Sequence, residues 1–92
     1  MNLDEKELNS AEAMLITISQ EGIIDLKYLT IFYNYDTVFS WLKDRGLIVD
    51  GHYKLGVAEK RFAALTRKGR DAMEKEKKGE IIEHLKNIMR HK

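Results

Sequence analysis

The chain has 92 residues, 43% hydrophobic and 34% charged, with a formal net charge of +1 and neither cysteine nor proline. This length supports one domain with a thin core, which excludes a second domain and leaves room for association with a second copy to add stability; the missing cysteines exclude disulfide scaffolds, thiolate zinc sites and cysteine nucleophiles. The +1 conceals a division: residues 1–50 hold nine acids and four bases, a balance of −5, while residues 51–92 hold twelve bases and six acids, a balance of +6. Such asymmetry predicts one surface built for a polyanion.

Leu8, Ala11, Met14, Leu15 and Ile18 recur at the spacing of one helical face and predict a helix from about Ser10 to Gln20, with Asn9 or Ser10 as N-cap and Gly22 just past its end. Leu26, Leu29 and Phe32, then Tyr35, Val38, Phe39 and Leu42, give a second helical pattern interrupted at Asn34 and Asp36. It predicts a short helix over about Asp25 to Phe32, a turn near Tyr33 to Tyr35, and a third helix from Asp36 as N-cap to Arg45, stopped by Gly46. The group Tyr28, Phe32, Tyr33 and Tyr35 is expected mainly in the core with its hydroxyls at the rim. Leu47, Ile48 and Val49 favour a strand, Asp50-Gly51 suits a tight hairpin, and His52 to Leu55 reads as the return strand. Gly56 to Arg61 is polar and basic, and Phe62 to Leu65 is either a further strand or the start of the last helix. From Arg67 to Lys92 the residues are strong helix formers, with Ile81, Ile82, Leu85, Ile88 and Met89 as an apolar seam suited to dimerisation.

Three strings, Leu8-Asn9-Ser10-Ala11-Glu12-Ala13-Met14-Leu15, Trp41-Leu42-Lys43-Asp44-Arg45-Gly46-Leu47-Ile48 and Leu65-Thr66-Arg67-Lys68-Gly69-Arg70, in this order of elements, resemble the winged helix-turn-helix regulators of the MarR and PadR types over roughly residues 8–75. In that family the second string closes the recognition helix and opens the wing, and the third closes the wing and opens the C-terminal helix. Leu42 and Leu65 stand 23 residues apart, room for one hairpin. The resemblance implies an α+β, mostly α fold: a winged-helix domain over residues 1–70 with a β-hairpin wing, and a dimerisation helix over 71–92. It further implies a homodimeric transcriptional regulator that binds double-stranded DNA.

Between residues 52 and 70 the bases Lys54, Lys60, Arg61, Arg67, Lys68 and Arg70 are opposed only by Glu59. On a wing flanked by Tyr53 and Phe62, they would straddle the phosphate backbone or place Arg61 in a minor groove. On the third helix Asn34, Thr37, Ser40, Trp41 and Lys43 are the outward candidates for phosphate or base contact. Asp36 and Asp44 offset Lys43 and Arg45 there, so the expected contact shifts from the helix toward the wing. The bland alternatives are a solvated hairpin and the outer face of a packed helix. A reading of a different class is a protein-interaction module, an adaptor or antirepressor, that docks a partner through the acidic first half and Trp41.

Glu80, His84 and His91 have a spacing that brings two ligands to one helical face without a convincing third, so no metal or other cofactor is expected. No phosphate loop, nucleophile elbow or paired buried carboxylates are visible, and no enzyme is expected. The longest apolar runs fall far short of the roughly 20 residues of a membrane helix. The acidic segment Met1 to Glu7 lacks the order of a signal peptide. The expected setting is cytoplasmic, at the nucleoid if DNA is bound.

Overall fold

A computed structural model describes residues 2–75 and 80–90. Helix α1, Glu5–Glu21, starts on a capping box: the Asp4 carboxylate accepts from the Glu7 N–H (2.8 Å) and the Glu7 carboxylate from the Asp4 N–H (3.0 Å). The helix therefore begins more than a turn before the predicted cap at Asn9 or Ser10. Ser10 is buried within it and donates its hydroxyl proton to the Tyr33 carbonyl (2.7 Å). The predicted apolar face, Leu8, Ala11, Met14, Leu15 and Ile18, is the buried one.

The short helix predicted from Asp25 does not form. Ile23–Asp25 is a strand, β1, and a single 3-10 turn follows at Leu26–Tyr28, with the Asp25 carboxylate accepting from the Lys27 N–H (3.0 Å). β-branched Ile23 and Ile24 favour pairing with β3 and carry Asp25, the expected start of the helix, into the strand. Turns then lead to Asn34, which adopts a left-handed conformation (φ 50°, ψ 44°) that asparagine tolerates, and helix α2 runs Tyr35–Asp44. Asp36 lies inside its first turn and is not its N-cap.

The predicted turn at Asp50-Gly51 is also absent. Strand β2, Ile48–Leu55, passes straight through it, and strand β3, Ala58–Leu65, returns after Gly56-Val57. Gly56 takes φ +64°, as the first central residue of a II′ turn requires. Phe62 to Leu65 is thus strand. The sheet is antiparallel in the order β1-β3-β2, with Ile23 opposite Ala64 on one side of β3 and Ile48 opposite Leu65, through to Leu55 opposite Ala58, on the other.

The second and third strings that carry the family resemblance meet in space. Thr66 donates its hydroxyl proton to the Gly46 carbonyl and accepts from the Gly69 N–H (3.1 Å), while its own N–H reaches the Leu47 carbonyl (3.1 Å). It thereby caps helix α3, Arg67–Lys75, and ties it to the end of α2. Gly69 passes so close to Leu47 that a Cβ would stand 2.1 Å from the Leu47 carbonyl oxygen.

Beyond α3 the chain is not one helix to Lys92. Helix α4, Ile81–Arg90, is separate, and residues 76–79 and 91–92 lie outside the described residues. α4 docks on the start of α1: the Lys86 ammonium lies 3.3 Å from the Glu5 carboxylate, and Ile81 and Leu85 enter the same core as α1, α2 and the sheet. No described helix is long and apolar enough to cross a membrane.

Candidate nucleic-acid interface

Side chains alternate across the hairpin, so its register sorts them onto two faces. The face that begins in the core with Ile48, Ala63 and Leu65 continues outward as Asp50, His52, Lys54, Glu59 and Arg61. The opposite face carries Val49, Gly51, Tyr53, Leu55, Lys60 and Phe62. Lys60 and Arg61, neighbours in the expected basic wing, therefore project to opposite sides, and only Arg61 and Lys54 share a face with α2.

Asp50 is the junction on that face. Its carboxylate stands 3.3 Å from the Lys43 ammonium of α2 and 3.4 Å from the Arg61 guanidinium of β3, and it is only 20% exposed, against 47% and 63% for the two cations. Because both cations are open to solvent, each pair contributes less than about 1 kcal/mol, but together they draw the exposed side of α2 and the basic side of the hairpin into one surface. Tyr35, at the start of α2, packs its ring against Phe39 (centroids 5.4 Å apart) in the same neighbourhood. Burial pushes its phenol above the ordinary range, Arg61 opposes this, and Asp36 and Asp50 add to it. His52 completes the row, with Nε2 3.9 Å from the Glu59 carboxylate.

The other predicted contacts divide. Ser40 is exposed and Thr37 half-buried on α2, beside the acids Asp36 and Asp44. Asn34 Nδ2 donates to the second carboxylate oxygen of Glu7 (2.6 Å), which ties the entry of α2 to the start of α1. Arg67 is exposed at the start of α3, and Lys68 donates to the Arg45 carbonyl (3.0 Å), where its charge complements the C-terminal end of α2.

Trp41, expected on the outer face, is a core residue at 3% exposure. The Arg45 guanidinium lies 5.1 Å from its ring centroid. The seam expected to join two protomers is likewise turned inward. Ile81 and Leu85 are 5% and 1% exposed within one protomer, and Ile82, Ile88 and Met89 are partly buried against the same core. The aromatic group at residues 28–35 is dispersed: Tyr28 and Tyr33 are exposed beneath the ammonium groups of Lys27 and Lys6 (5.1 and 5.9 Å to the ring centroids), while Phe32 and Tyr35 are partly buried. Among the described residues no three His, Asp or Glu side chains gather as a metal site, and His91 lies outside them.

Asp50, His52 and Tyr35 were not among the expected site residues. The Asp-Gly pair is a strong local turn signal that masks Asp50. What exposes it is the period of two linking Ile48, Asp50, His52 and Lys54, visible only once β2 is known to run its full length. Compared with protein-family models, characterised proteins and solved structures, the chain matches none.

Proposed function

We propose that this chain is a winged-helix transcriptional regulator of the MarR/PadR type that binds double-stranded DNA as a homodimer. The β2–β3 hairpin serves as the wing, and α2 stands at or near the major groove. The observation that carries the reading is the convergence of Lys43 and Arg61, from two different elements, on the side of Asp50. That arrangement sets two cations 3.3–3.4 Å from one shared carboxylate, with Lys54 and exposed Ser40 on the surrounding surface. Phosphate contacts from Lys43, Lys54, Arg61 and Arg67 would supply affinity; Ser40 and Thr37 are the α2 side chains suited to base edges. With two acids on its exposed side, α2 contributes less than the hairpin. Two-fold symmetry sets half-sites about 10 base pairs, or a multiple of that, apart.

An electrophoretic shift titrated with salt tests this. Wild type binds duplex DNA at low salt. Lys43→Ala and Arg61→Ala each weaken binding across sequences and each lower the slope of log affinity against log salt by about one. Asp50→Asn, which removes the competing carboxylate, strengthens binding. Absence of any shift at low salt, or slopes unchanged in both alanine variants, overturns the reading.

A second reading, a protein-interaction module, loses the exposed tryptophan that suggested it. It keeps one specific support: an open groove beside β1 where Ile23, Tyr28 and Ile31 are 68%, 57% and 80% exposed. It predicts binding to a protein with no affinity for DNA.

A further inference from the structure

We propose that β2 is a self-complementary edge through which two copies of this chain pair antiparallel into one continuous six-stranded sheet, with His52 opposite His52 of the second copy. Among the described residues β2 bonds to β3 on one side only and is an edge of the sheet, so its other side offers a row of N–H and C=O groups for pairing. Soluble proteins usually protect such an edge with proline, a bulge, a short strand or several charges. β2 has none of the first three: it is eight residues long, contains no proline, and pairs with β3 residue by residue without a bulge from Ile48 to Leu55. The opposite edge, β1, is protected by its length of three residues.

The edge carries Asp50 and Lys54 on one face and is apolar on the other. Val49, Tyr53 and Leu55 are 48%, 51% and 66% exposed. A second copy is the occupant that their order fits. A two-fold axis perpendicular to the sheet keeps side chains on their own faces only when paired residues are an even number of positions apart, because the strand period is two. Among those registers, centring on His52 sets Asp50 against Lys54 of the second copy, twice, so each lysine on the edge meets a carboxylate. The same register sets Val49 against Leu55 and Gly51 against Tyr53 on the other face. Gly51 has no side chain there and lies beneath the Phe62 ring, 2.7 Å from where a Cβ would be. A tyrosine from the second copy would therefore flank that ring, as this copy's Tyr53 does with centroids 6.2 Å apart. Shifting the centre to Gly51 places Asp50 against His52, and shifting it to Tyr53 places His52 against Lys54 and leaves Asp50 opposite Gly56. The register centred on His52 is the one of these three that resolves the charges and pairs the exposed aliphatic residues. It also leaves the helix-bearing faces of both copies on the same side of the sheet. The seam shares Asp50 and Lys54 with the candidate nucleic-acid surface and replaces the one that α4 turns inward.

The absence of cysteine makes a register test clean. In the double variant Val49→Cys/Leu55→Cys, mild oxidation of the full-length protein at pH 8 is expected to give a covalent dimer. Each single variant stays uncrosslinked, because like positions in the two copies are then six residues, about 20 Å, apart along the strands. Sedimentation without DNA is expected to show wild type in monomer–dimer equilibrium, and Lys54→Asp, which opposes like charges twice, is expected to weaken the dimer about tenfold. Circular dichroism confirms that each variant is folded. The proposal is overturned by a wild type that stays monomeric at several hundred micromolar, by single variants that crosslink as fully as the double, or by Lys54→Asp leaving the equilibrium unchanged. DNA binding by a strictly monomeric protein would overturn this seam and the homodimeric part of the proposed function, and leave DNA binding itself standing.

Discussion

Gly69 and Thr66 show how two side-chain positions can hold three elements. The Thr66 hydroxyl serves α3 as a cap and α2 as a clamp, and Gly69 lets the first turn of α3 lie against the Leu47 carbonyl. Gly69→Ala brings a Cβ against backbone, which has no rotamer to escape into, and is expected to cost about 3 kcal/mol in urea unfolding. Thr66→Ala, which loses a cap without a clash, costs about 1 kcal/mol. Tyr35 gives a residue-level test of another kind. Its phenol is held above the ordinary range chiefly by burial, so the folded state keeps a proton that the unfolded state gives up. The associated stability is complete below pH 10, the ordinary tyrosine value, and is lost as pH rises through the higher folded-state value. In an alkaline absorbance titration one of the four tyrosines is expected to ionise last, and Tyr35→Phe is expected to remove that phase.

Among the elements, the contrast between α1 and α4 is informative. Both present an apolar stripe to the sequence reader, but periodicity reports only that a face is buried and never against what. For α1 the two questions have one answer. For α4 the stripe suggested a second protomer, and the protein uses it within one: Leu85 is 1% exposed and Lys86 reaches back to Glu5. Leu85→Ala is therefore expected to lower stability by about 3 kcal/mol and leave the oligomeric state of the remaining folded protein as in wild type. Leu85→Glu is expected to unfold the chain rather than to yield a folded monomer, with loss of cooperative melting as the readout. The hairpin teaches a related lesson. Asp50-Gly51 has the composition of a turn, but Asp50 is held between Lys43 and Arg61 and Gly51 lies under Phe62, so tertiary contacts carry the strand past a local signal and Gly56 makes the turn.

At the scale of the molecule, the expected division at residue 70 is not a structural boundary. Ile81 and Leu85 share one core with Met14, Leu42 and Ile48, as a chain of 92 residues requires if it is to bury enough apolar surface. The charge division has a spatial counterpart only in part. Arg61 and Lys54 do face α2, but Lys60 points to the far side of the sheet, and the acidic half inserts Asp50 between the cations. The candidate surface is consequently a mixed one. That is why the salt dependence of binding, with the contribution of each cation measured separately, is the informative quantity.

The sequence by itself determined what depends on local spacing and residue type: the buried face of α1, the helical character of residues 37–44, strand character at Ile48 and Val49 and from His52 to Leu55, and room for one hairpin between Leu42 and Leu65. Only the tertiary structure decided which of two saturated options each ambiguous segment took. Ile23 and Ile24 became a sheet edge because β3 was there to pair with them, and Trp41, expected on the outer face, is buried in the core. α4 turned its seam inward because α1 and α3 offered apolar surface within the same chain, and burial is favourable wherever the nearest apolar partner lies.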